Sequence, residues 1–185
     1  MITVKKIIVS TDLSDASVPA IGYAMSLARA YNAELAVVHV LRTNELKGQF
    51  SQGYATEGLA SPAGTPPIST GQVGLGDLFE RKKPIIRAFV EQRLGIELSK
   101  AVTIKPVIKY GNVAKEIVAA AKEEKCDLIV MASQASRLSS LFRAKLTERV
   151  ARQAPCPVLL IPPTAEVTTD KNERVPITLI EKWAA

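Results

Sequence analysis

The stretch Lys6-Ile7-Ile8-Val9-Ser10-Thr11-Asp12-Leu13-Ser14 decides the fold. Its first half is a continuous apolar, β-branched run. A strand with one wet face would alternate; an unbroken run reads as a strand covered on both faces. The run ends in Thr-Asp-Leu-Ser, where the Thr, Asp and Ser are of the types that cap helices. A helix is therefore expected from Ser14 to Tyr31, with Ala20, Ala24, Leu27 and Tyr31 on one face. Pro19 sits near its start, where a missing N–H costs little.

The same alternation repeats outward along the chain. Leu35 to Leu41 reads as a second strand and Thr103 to Lys109 as a weaker third. Asn112 is a good cap for a helix running to Lys125, with Val113, Ile117 and Ala121 inward. Asp127 to Met131 is a fourth strand. Leu138, Leu141, Leu146 and Val150 mark a helix that ends before Pro155, and Val158 to Ile161 is a fifth strand. Buried strands separated by helices imply a parallel sheet with helices on both faces, an α/β three-layer sandwich. Right-handed crossovers favour the flavodoxin-like arrangement, which opens ligand space at the carboxyl ends of strands one and four.

One domain over residues 1–163 accounts for these elements, with two segments to spare. Residues 43–76 are rich in Gly, Ser, Thr and Pro and nearly free of charge, and read as a long flexible insertion. Pro84 then stands at the start of a helix to about Leu94. The tail, 164–185, begins polar and later carries Val175, Ile177, Leu179 and Trp183. Its alternation suits an edge strand or docking arm, and a frayed tail equally.

Composition narrows the function classes. No run of about 18 apolar residues exists, so no membrane span is expected. Met1 to Ile8 lacks the basic, apolar and small-residue order of a signal peptide, which makes the cytoplasm the expected location. The formal net charge is +6, yet Lys and Arg are spread along the chain and aromatic residues make up only 5%. Without a basic cluster interleaved with stacking rings, nucleic acid is not an expected partner. Cys126 and Cys156 have no metal-ligand spacing and are expected to pack as small apolar groups.

The chemistry-bearing residues are few. The single histidine, His39, lies inside the apolar run Val37-Val38-His39-Val40, where a hydrogen-bonded structural role is expected. No nucleophile–base pairing, Gly-rich phosphate loop, dinucleotide fingerprint or metal-ligand cluster is visible. Asp12 remains. At the end of the first strand its carboxylate either points into the crevice above the sheet or, with Ser14, caps the following helix.

Five pieces taken together resemble a universal stress protein. They are Lys6 to Ser14, Val37-Val38-His39-Val40, Tyr110-Gly111-Asn112, Cys126-Asp127-Leu128-Ile129-Val130-Met131, and Ala154-Pro155-Cys156-Pro157-Val158-Leu159-Leu160-Ile161. By these motifs the resemblance covers about two thirds of the chain and leaves out the insertion and the tail. It implies an adenine-nucleotide alpha-hydrolase-like fold, a five-stranded sheet in the order 3-2-1-4-5, and homodimers formed through the last strand. It implies ATP or AMP as ligand, the adenosine end held at the positions of Asp12 and Val40. It places the phosphates on a loop after strand four with the pattern Gly-x2-Gly-x9-Gly-[Ser/Thr].

This sequence departs from that pattern. Ala132 and Ala135 stand at the first two glycines, Gln134 at the usual histidine, and Ala144 and Lys145 at the final pair once one residue is deleted from the loop. Together with Ser133 these are the positions matched to the phosphate site. Glycine there lets backbone N–H groups approach phosphate oxygens and permits positive φ. A methyl group crowds that approach, and a positive φ would add strain of roughly 1–2 kcal/mol per residue. Against this, Ser133, Ser136, Ser139 and Ser140 with Arg137, Arg143 and Lys145 lie near a helix start, a favourable place for an anion, or are simply a solvated loop. The expected function is that of a dimeric stress-response regulator that contacts partner proteins, with no cofactor held in the family manner and no enzymatic activity beyond weak ATP hydrolysis. The alternative is a nucleotide-binding module with an altered phosphate loop.

Overall fold

Five parallel strands make the central sheet: β1 (Lys6–Thr11), β2 (Glu34–Leu41), β3 (Ile104–Tyr110), β4 (Leu128–Ala132) and β5 (Val158–Ile161). They are ordered β3-β2-β1-β4-β5, as the resemblance implies. The computed structural model describes residues 3–42, 75–95, 102–133, 140–165, 167–168 and 174–175. Four α-helices lie among them: α1 (Val18–Tyr31), α2 (Leu75–Leu94), α3 (Val113–Glu123) and α4 (Ser140–Gln153).

The unbroken apolar run of β1 is explained by two separate cores. Ile7 and Val9 point to one face with Leu35 and Val37, and pack against Ile21 and Met25 of α1 and Ile86 and Val90 of α2. Ile8 points to the other with Ala36 and Val38, against Ile117 and Val118 of α3 and Val150 of α4. Ile7, Ile8 and Val9 have no exposed surface at all. Edge strands need less: β3 is only partly buried and tolerates Pro106, whose missing N–H costs no ladder bond when one side of the strand is unpaired.

Several expectations need adjustment. The chain after β1 makes a 3-10 turn over Asp15–Ser17 before α1 begins, so the helix starts later than Ser14. The buried stripe of α1 runs through Ala20, Ile21, Ala24, Met25 and Ala28. Tyr31 flanks that stripe in the last turn and is 55% exposed. The helix stops there because Asn32 turns left-handed (φ 51°) and the Ala33 N–H donates back to the Ala28 carbonyl at 2.8 Å.

Pro84 lies in the middle of α2, not at its start. The helix begins at Leu75, inside the expected insertion, because Leu78 ahead of the proline and Ile86 and Val90 after it are all buried against the sheet. That burial outweighs the one backbone bond proline removes. The rest of the insertion, 43–74, lies outside the described residues. In the tail, β6 (Val167–Thr168) pairs antiparallel with β7 (Arg174–Val175). Ile177, Leu179 and Trp183 lie outside the described residues.

The turn from β3 into α3 fits its sequence. Gly111 adopts φ 131°, a conformation that side-chain-bearing residues rarely take. Asn112 then caps α3, its Oδ1 accepting from the Lys115 N–H at 3.2 Å.

Candidate functional site

Sheet order reverses between β1 and β4, since β1 connects away to β2 on one side and β4 carries the chain to the other. Crossover connections leave such a point uncovered at the carboxyl ends of the strands. An open cleft of about 270 Å³ lies there. Thr11 and Asp12 form one wall, and Val38, Val40 and Arg42 another. Met131 and Ala132 of β4 face them. Val113 and Ile117 of α3 and Leu146 and Thr147 of α4 also line it.

A chain of hydrogen bonds fixes the loop that presents Asp12. The Leu13 N–H donates to Thr11 Oγ1 at 2.9 Å, and Ser17 Oγ donates to the Ser14 carbonyl at 2.7 Å. Ser17 has thereby used its only proton, so Thr11 Oγ1 is the donor in the 2.7 Å bond between the two hydroxyls. On the other side His39 Nδ1 lies 3.0 Å from the Thr11 carbonyl. A carbonyl only accepts, so Nδ1 carries the proton in this bond. Leu13 is held at φ 59°, in the left-handed region that a leucine avoids. The network of Thr11, Ser17 and His39 supports that strain and makes the loop rigid.

Asp12 borders the cleft, whereas neither it nor Ser14 caps the next helix through its side chain. Its Oδ1 accepts from the Ser14 N–H at 3.1 Å and from the Ser14 hydroxyl, which ties the turn together. Its Oδ2 has no bonded partner among the described residues, and the residue is exposed at the cleft. That oxygen can accept from an amino group. Val40 is 7% exposed and offers an apolar wall beside it.

The matched phosphate positions divide. Ala132 ends β4 and borders the cleft together with Asp12 and Val40. Its φ is not positive, so alanine carries no left-handed strain there, and its side chain packs on the core of α1 and α2. Ser133 follows it, but its N–H donates to the Ile161 carbonyl at 2.7 Å. Lys145 lies in α4. Ala135, and with it Gln134, Ser136, Arg137 and Ser139, lies outside the described residues.

Sequence reasoning missed Arg42, Thr147 and the participation of His39. Arg42 could have been found as the cation immediately following a buried strand at its carboxyl end. His39 has the hydrogen-bonded role expected of it, yet it also lines the cleft. Neither Thr147 nor Leu146 carries a sequence signal, since α4 reaches the cleft only through packing. Among the described residues no group of three or more His, Cys, Asp or Glu side chains converges to hold a metal ion. Nor is any helix among them long and apolar enough to cross a membrane.

The opposite end of the sheet is held by charge. Asp127 Oδ2 accepts from the Lys5 and Lys6 N–H groups at 2.8 and 3.0 Å, joining β1 to the segment before β4. Lys6 lies 3.0 Å from Glu34 and 3.4 Å from Glu124, and Lys105 lies 2.8 Å from Glu124. The hydrogen bond from Lys105 holds the Glu124 carboxyl below its ordinary range against partial burial, with Lys6 adding to it. These pairs sit far from the cleft and serve the fold.

Comparison with known proteins agrees with the geometry. The family model described as the universal stress protein family matches residues 3–64 and 69–162. The match runs through 43–64 and 69–76, segments that by motif alone lie outside the resemblance. A universal stress protein of Methanocaldococcus jannaschii is 29% identical over 158 residues, covering 85% of this chain and 81% of that protein. One from Thermus aquaticus is 30% identical over 158 residues, covering 85% of this chain and 98% of that one. Among solved structures, a universal stress protein crystallised in complex with cAMP superposes with a TM-score of 0.54 at 21% identity, covering 87% of this chain and 98% of that one. With the five-stranded order, the cleft at its switch point and a family match over most of its length, this chain belongs to the universal stress protein family.

Proposed function

We propose that this protein is a cytoplasmic, homodimeric stress-response regulator that acts by contacting partner proteins and does not hold ATP in the family manner. The observation that carries the reading is at the end of β4. There the cleft is bordered by Ala132, and the next backbone N–H, that of Ser133, is already donated to Ile161. A phosphate needs bare main chain with free N–H groups. At this point the chain has alanine where the family pattern has glycine, and an occupied donor after it. Among the described residues of the cleft His39 is tied to the Thr11 carbonyl and Asp12 to Ser14, an arrangement that supports a non-enzymatic role with at most slow ATP hydrolysis.

Dimerisation is read from β5. It is an edge strand, and Leu159 and Leu160 are 36% and 42% exposed. An unpaired apolar edge calls for cover, and a second copy supplies it. The reading assigns partner contacts to the insertion at 43–76, inside the domain of residues 1–163, and to the tail at 164–185.

A second reading has its own support. The free Oδ2 of Asp12 beside Val40 suits an adenine amino group, and one relative of similar fold was crystallised with cAMP. Arg42 at the cleft offers a cation to an anionic ligand held in a different pose. Acid extraction of the purified protein, followed by ATP titration with and without Mg²⁺, separates the two. The first reading expects no released adenine nucleotide and no binding up to about 1 mM, a free energy of about −4 kcal/mol. Micromolar binding overturns it in favour of the second. Light scattering on the same preparation is expected to give a dimer, and a monomer at micromolar concentration removes the assembly from the proposal.

A further inference from the structure

Cys126 and Cys156 meet at the amino-terminal end of the sheet, remote from the cleft. Their sulfurs are 3.1 Å apart, although the residues are 30 positions apart in sequence. Both are free thiols. A disulfide bond is about 2 Å long, so the sulfurs stand within about an ångström of bonding distance.

The backbone on both sides of the pair is fixed. The Cys126 N–H donates to the Ala121 carbonyl at the end of α3 at 3.0 Å. One residue beyond Cys156, the Pro157 carbonyl accepts from the Ile129 N–H at 3.0 Å. From there β4 and β5 pair in register, Ile129 opposite Val158. Pro155 and Pro157 stiffen the segment that carries Cys156. The approach of the sulfurs thus follows from the sheet itself.

We propose that Cys126 and Cys156 form a reversible intrachain disulfide when the protein meets a peroxide, and that this bond staples β4 to β5. Cys156 is half-buried and Cys126 buried, so Cys156 reacts first. Its thiolate attacks the peroxide O–O bond; an S–O bond forms, and the other oxygen leaves as water after taking up a proton. The Cys126 sulfur then attacks the sulfenic sulfur of Cys156. An S–S bond forms, the S–O bond breaks, and a second water leaves with the remaining thiol proton. Two thiols lose two electrons, which reduce one peroxide to two waters. A dithiol reductant returns two electrons and two protons.

Burial raises both thiols above the ordinary cysteine range, Cys126 the more strongly, so little thiolate exists at neutral pH. The closed loop contains all of β4 and α4, and with them Met131, Ala132, Leu146 and Thr147 of the cleft. Oxidation therefore ties down the half of the site built from those elements. This inference is independent of which ligand, if any, the cleft accepts.

The test uses the full chain, fully reduced, then incubated with excess hydrogen peroxide and quenched with N-ethylmaleimide. The expected product is a monomeric polypeptide lighter by about 2 Da that takes up no maleimide, with a 126–156 cross-linked peptide after digestion. Its melting temperature is expected to rise by about 5–10 °C and to fall back on addition of dithiothreitol. Cys156→Ser and Cys126→Ser should show neither the mass loss nor the rise. Two maleimides added after peroxide, cross-links between chains, or sulfinic acids without a 126–156 peptide would each overturn the proposal. These readouts on the unmodified sequence hold even if a variant folds poorly.

Discussion

Ile8→Ala is expected to lower the free energy of unfolding by about 3 kcal/mol, and the melting midpoint by about 6–12 °C. Ile8 has no exposed surface and stands opposite Ala36 on β2 and Ile129 on β4. On its face of the sheet it touches the core that holds α3 and Val150 of α4. Truncation would leave a cavity walled by secondary structure on every side. Neighbours in hydrogen-bonded strands cannot close such a gap without breaking register, so the full cavity term is felt. Chemical denaturation followed by circular dichroism measures the loss. A change under 1 kcal/mol would mean that this face of β1 is not packed as described. Leu159→Ala, on the exposed edge strand, is the contrast: in the isolated monomer it should cost well under 1 kcal/mol.

The double variant Ala132→Gly, Ala135→Gly is expected to raise ATP affinity by about tenfold, equivalent to about 1.4 kcal/mol. The two positions contribute differently. At Ala132 the backbone is already in a strand conformation without positive φ and the side chain packs on the core of α1 and α2, so little gain is expected there. At Ala135 the family pattern asks for glycine's backbone freedom as well. Ala132→Gly alone should therefore give only a small part of the effect, at a cost to stability of roughly 0.5–1 kcal/mol. Calorimetric titration of both variants against ATP·Mg²⁺ is the measurement. An unchanged affinity in the double variant would show that methyl groups are not what keeps ATP out. The obstacle would then lie with the occupied Ser133 donor or with Lys145.

Much of the sheet was legible because its strands are covered on both faces. Such burial demands unbroken apolar runs such as Ile7 to Val9 and Leu35 to Val38, and the alternation with helices then permits few topologies. Asp12, Val40 and Ala132 were legible as neighbours because a parallel sheet opens at its order reversal, and all three sit at strand ends there. Other elements were misjudged where a local rule met a tertiary force. Pro84 marks a helix start by local propensity, yet Leu78, Ile86 and Val90 draw the helix through it into the core. Tyr31 follows the apolar spacing of α1 but falls where the chain has already begun to turn at Asn32.

Taken by itself, the sequence determined the layers, the strand order through its family resemblance, and the loss of glycine after β4. These are consequences of residue type and short-range spacing, which the chain carries locally. Tertiary structure alone decided that Thr11, Ser17 and His39 brace one loop, that Arg42 and Thr147 reach the cleft, and that two cysteines 30 residues apart touch. Contacts between distant segments depend on the angles and register at which whole elements pack, and no local pattern encodes those distances.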